Sequence, residues 1–170
     1  EFNAGISYEW NATRNASFQF TPFKLTYNKL IHTTQEFDSI MDYNKAIAQS
    51  FQSRFIPQLS FQYTLDKFFE RERINGITFT ANFTEAGNLF DVIYKACGAK
   101  GEKKMFGTPF SQFVKGQLQL VYNRRLIRGT EHWLVSRILV GAEHAYGNSR
   151  EVPYSEQFYI GGANSIRAFT

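Results

Sequence analysis

The side chains that could do chemistry are few and scattered. The histidines are His32, His132 and His144. No two of them stand at metal-ligand spacing. His132 and His144 share strand parity, but twelve residues of extended chain separate them by roughly 40 Å, too far to share a ligand. Ser60 and Ser111 fall on strand-like patterns without a neighbouring base, and the Asp and Glu residues occur singly. Cys97 is the one cysteine, so an internal disulfide is excluded. The stretch FYIGGANSIRAF, residues 158–169, is the most unusual in the chain. Gly161 and Gly162 permit rare backbone angles or close approach to another surface. Asn164 can fix a turn through local hydrogen bonds. Arg167 offers a planar fork of donors that fits a carboxylate. A phosphate-cradling loop would need a Lys-Ser/Thr pair opening a helix, and none follows these glycines. The residues therefore predict no catalytic set, no metal site and no cofactor. Either a plain turn or an inward-folded loop that carries Arg167 to one place accounts for the motif.

The elements that must position such a loop read as strands. Residues 2–11 alternate, with Phe2, Ala4, Ile6, Tyr8 and Trp10 on one phase and Asn3, Gly5, Ser7, Glu9 and Asn11 on the other. Residues 15–28 alternate too, but the apolar phase shifts after Pro22, which predicts a bulge. Further strands are predicted over 54–66, 73–85, 110–123 and 130–146. In the last of these, Arg137 and Glu143 share one phase and Leu134, Ile138, Val140 and Ala142 the other. Helical spacing marks 34–52, with Thr34 as N-cap, and one or two helical turns are expected over 88–96.

This gives an all-β antiparallel meander of about six strands, and the chain reads as a piece of a larger one. Two arrangements alternate in this way. One is a β-sandwich with a dry core. The other is a membrane barrel with apolar residues outside and charged ones inside. Strands of 10 to 16 residues exceed the usual ~5–6. The connections alternate short and long, which puts both long loops, 29–53 and 86–109, and the segment 147–170 on one side. Aromatic residues are 17% of the chain, with 18 Phe. No apolar run is long enough for a transmembrane helix. The net charge of +4 is scattered, which gives no footprint for nucleic acid. Glu9, Lys115, Arg137 and Glu143 all fall on the polar phase and are the candidates for a wet interior.

Pro153, Tyr154, Gln157, Phe158, Gly161, Gly162, Asn164, Ser165, Ile166, Arg167 and Phe169 together resemble the conserved loop of the outer-membrane-protein assembly family, the BamA/TamA-type surface antigen barrels, and most of all the TamA-like barrels of Bacteroidota. Ala168 stands where that pattern has Gly. The resemblance implies a sixteen-stranded transmembrane barrel in the outer membrane of a Gram-negative bacterium, of which residues 1–170 form part. It implies a role in protein insertion and translocation, by strand pairing at a barrel seam, with Arg167 locking the loop inside the lumen. The implied partners are outer-membrane lipid, unfolded or nascent outer-membrane protein strands, and periplasmic or inner-membrane accessory subunits. A passive porin-like channel and a barrel enzyme with its site elsewhere are the alternatives.

Overall fold

The computed structural model describes residues 2–28, 35, 39, 42–43, 53–69, 75–98, 103–105, 107–127 and 132–158. Six long strands make up one antiparallel sheet: β1 (Phe2–Thr13), β2 (Ala16–Asn28), β3 (Arg54–Phe68), β4 (Asn75–Ala86), β7 (Phe113–Arg125) and β8 (Trp133–Ala145). Their order is β1-β2-β3-β4-β7-β8. Between β4 and β7 lie a helix, α1 (Asn88–Ala96), and a two-stranded ribbon of β5 (Lys104–Met105) and β6 (Thr108–Pro109). Six strands were expected at these places, five from the period-two pattern and the last, apolar on both faces, from its length and its two charges, and α1 falls where helical turns were expected. Residues 35, 39, 42 and 43 are helical; the rest of the stretch 34–52 lies outside the described residues.

Registers give the sheet two chemically distinct faces. Across β1 to β8, Trp10, Phe18, Tyr63, Ala81, Leu118 and Val140 form one continuous row. The next row on the same face runs Phe20, Phe61, Phe83, Gly116, Ala142. On the opposite face the corresponding rows are Gln19, Gln62, Asn82, Gln117, Gly141 and Ser17, Thr64, Thr80, Gln119, Leu139. Side chains alternate strictly along a strand, so one apolar phase per strand gives one apolar face per sheet. A bulge at Thr21–Phe23 shifts the register against both β1 and β3. It brings the two phases of β2, split at Pro22, onto the same face.

The apolar face is open. Ile6 is 71% exposed, Ile138 62% and Val140 61%. The well-packed part of the molecule lies on the other face, at the end where the long connections gather. There Ile56, Ala86, Phe113 and Val152 form a small core, with Ala145 packed against it. Ala86, Phe113 and Ala145 are direct cross-strand neighbours.

The expectation of a sixteen-stranded transmembrane barrel is overturned. β1 and β8 stand at opposite ends of the order and, among the described residues, no ladder joins them, so the sheet is open. Alternation decides which side of a strand is apolar but is silent on closure. Closure requires strand number, tilt and register offset to agree around a ring. Unpaired edge amides are not tolerated in hydrocarbon, so an open sheet gives no support to an outer-membrane location. The insertion and assembly role falls with it, because a seam exists only in a closed wall, and the porin-like and barrel-enzyme alternatives needed the same wall. No described helix is long and apolar enough to cross a membrane.

Candidate functional site: an open sheet with one apolar face and two free edges

The four charged residues assigned to a wet interior all lie on the polar face. Lys115 and Glu143 are direct cross-strand partners between β7 and β8. Arg137 is opposite Val121, six residues along β8 from Glu143. Glu9 is opposite Gln19 at the far edge of the sheet, so the structure does not bring it to the others. Lys115 Nζ donates to the backbone carbonyl of Glu156 and lies 4.5 Å from the centre of the Phe158 ring. Glu143 Oε2 is buried without a hydrogen-bond partner. The motif residues Gly161, Gly162, Asn164, Ser165, Ile166, Arg167 and Phe169 lie outside the described residues, as does Ala168. The chain leading to them does turn back over the polar face, since Phe158 packs on Gly141 of β8.

A polar cluster that the sequence did not reveal ties this end together. Gln112, only 1% exposed, accepts the Asn148 backbone N–H at 2.7 Å through Oε1. Its own backbone N–H donates to Ser149 Oγ at 2.9 Å. Asn148 Nδ2 donates to the carbonyls of Lys103 and Phe110, both at 2.9 Å, and Oδ1 accepts the Lys103 N–H. Arg54 reaches Ser149 Oγ from β3. Tyr146 donates its hydroxyl to Asn88 Oδ1 at 2.6 Å, and Asn88 in turn donates to Glu85. Partial burial raises the Tyr146 pKa above the ordinary phenol value; the Asn88 hydrogen bond opposes that shift and the Glu85 carboxylate adds to it. Asp91 of α1 pairs with Lys95 and Lys103, anchoring the helix to the ribbon. The signal available in sequence was the run Tyr146-Gly147-Asn148-Ser149, whose Gly147 has φ 61. This network is scaffold: every group in it is engaged with another part of the chain.

The apolar face presents a furrow of about 400 Å³. Its floor is formed by the small residues Ala81, Gly116 and Ala142, with Phe61 and Phe83 on one side and Val140 on the other. A Cβ built on Gly116 would meet nothing within 4 Å. At the β1 edge the aromatic side chains form a continuous ladder. Tyr8 and Trp10 centroids are 5.4 Å apart, Trp10 and Phe18 also 5.4 Å, and Phe18 and Tyr63 5.0 Å. Among the described residues no group of three or more His, Cys, Asp or Glu side chains could hold a metal ion. His132 immediately precedes β8 and His144 lies near its other end.

No family model matches the sequence. No curated protein and no solved structure matches it either. The resemblance to the BamA/TamA-type assembly family rested on the loop motif and the alternating strands. The strands are equally those of an open sheet, and the motif has no matching family behind it, so the family assignment is withdrawn.

Proposed function

We propose that the chain is a non-catalytic binding module that recognises extended polypeptide by strand addition. A partner segment in β conformation pairs with the free edge of β1 and continues the sheet. The observation that carries this reading is β1 itself. It ends the strand order, and all twelve of its residues are exposed. Soluble proteins guard such edges with proline, lysine or a covering loop. β1 has no Pro and no Lys, and its one charged residue is Glu9. An exposed, alternating edge of this length is the surface that β-augmentation uses, with backbone ladders supplying affinity and alternate side chains supplying selectivity. Along β1 itself, Phe2, Ala4, Ile6, Tyr8 and Trp10 share the apolar face and offer contact to every second residue of the incoming strand. The module binds without cofactor, and its partner is a polypeptide and not a nucleic acid.

The test is titration of a labelled twelve-residue peptide of alternating apolar and polar residues, followed by fluorescence anisotropy. Saturable binding is expected. The same peptide with proline substituted at alternate positions lacks the ladder donors there and should not bind. Equal binding of the two peptides would exclude strand addition.

A further inference from the structure

We infer that the apolar face is covered by a second copy of this chain, packed face to face with its strands running in reverse. This goes beyond the strand-pairing reading and does not rest on it, because a face-to-face pair leaves every sheet edge free.

Three observations argue for the second copy. The first is area. About a dozen large apolar side chains on this face, Ile6, Phe83, Leu118 and Ile138 among them, are more than a third exposed. At roughly 100 Å² each they offer on the order of 1,000 Å², more than the ~300–600 Å² patch of an ordinary monomer. A standard interface buries about 800 Å² per partner.

The second is shape. In β7 the small residue Gly116 lies toward the loop end, and Leu120 and Tyr122 toward the turn end. In β8 Ala142 lies toward the loop end, with Ile138 and Leu134 toward the turn end. A two-fold axis in the plane of the sheet, perpendicular to the strands, lays each strand over its own reversed copy. Large residues of one copy then descend into the furrow over Gly116 and Ala142 of the other, and the exchange is mutual, as two-fold symmetry requires.

The third is charge. The middle of the face carries none. Its loop end has Glu85, whereas its turn end has Lys67 and Arg124, each placed on this face by register with Ile77 and Leu134. Reversal brings Glu85 of each copy toward the basic end of the other; the unreversed pairing would oppose like charges.

The experiment is sedimentation velocity across a concentration series of the full chain, with circular dichroism to confirm folding. The expected species has twice the 19.7 kDa chain mass. Gly116→Leu, whose Cβ meets nothing within 4 Å, fills the furrow and should raise the dimer dissociation constant at least tenfold. Lys67→Glu combined with Arg124→Glu leaves the Glu85–Asn88 contact intact, sets like charges toward Glu85 of the second copy, and should weaken the dimer. A monomer at tens of micromolar overturns the inference, as does a dimer indifferent to Gly116→Leu in folded protein. Uptake into phosphatidylcholine vesicles in place of dimer formation also overturns it. Peptide binding at the edge by a monomeric chain would leave strand addition standing while removing the second copy.

Discussion

Gln112 and Asn148 hold each other across the loop end of the sheet, with Gln112 Oε1 2.7 Å from the Asn148 backbone nitrogen. Gly147 sits between them in the left-handed region, at φ 61, and a Cβ there would clash with the Gln112 amide. This contact fixes where the chain leaves β8. It therefore directs the segment after β8, as far as Phe158, back over the polar face, and among the described residues the apolar face is left uncovered.

Gln112→Ala should lower stability by about 1–3 kcal/mol, the cost of a buried N–H left unpaired. Chemical denaturation with an unchanged m-value would check this. Gly147→Val should cost at least as much, because it adds strain at positive φ to the clash.

Phe158 packs directly on Gly141. A Cβ at that position would lie 2.7 to 3.0 Å from three atoms of the ring. Gly141→Val should therefore displace Phe158 and free residues 153–158. Hydrogen exchange there should accelerate while β7 and β8 stay protected. Lys115→Met removes the cation over the ring and should weaken the same docking by about 0.5–1 kcal/mol.

Tyr146 links the segment after β8 to α1. Its pKa is raised in the folded chain, chiefly by burial. A phenol whose folded pKa exceeds its unfolded value near 10 holds its proton better when folded. Its contribution to stability is complete below pH 10 and is lost as pH rises through the folded pKa. Thermal melts should show this alkaline loss in the wild type. Tyr146→Phe should be less stable by about 1 kcal/mol at neutral pH and should lack that component of the loss.

Phe18 is the hinge of the aromatic ladder, in contact with Trp10, Phe61 and Tyr63. Phe18→Leu keeps apolar volume but removes the ring pairs, each worth roughly 0.5–1.5 kcal/mol. The expected result is a modest fall in Tm and weaker affinity for a β-strand peptide. Phe79→Leu in β4, which also borders Tyr63 but lies away from the β1 edge, should leave that affinity unchanged.

Five strands were readable because period two is written into them, from Phe2-Ala4-Ile6 onward, whereas the last is apolar on both faces and only the shared phase of Arg137 and Glu143 told its sides apart. The bulge was readable because Pro22 marks the phase change. The helix Asn88–Ala96 stands where one or two helical turns were expected. Closure was not readable, because residues that face lipid, a second sheet or open solvent on an apolar side all show the same alternation. The Gln112–Asn148–Ser149 cluster was not readable for another reason. Its members lie 36 and 37 residues apart in sequence, and neither Gln nor Asn announces burial. The same limit applied to Lys115 and Glu143: their polar phase was evident, but their direct pairing required the register.

The central claim is that β1 is a free edge waiting for a strand. Residue-resolved amide exchange of β1, with and without a saturating alternating peptide, tests it most directly. The account predicts that alternate β1 amides, fast in the free chain, become protected on addition, with no change at the β8 edge. Outward-facing β1 amides that are already slow in the free chain, or unchanged under saturating peptide, would contradict it.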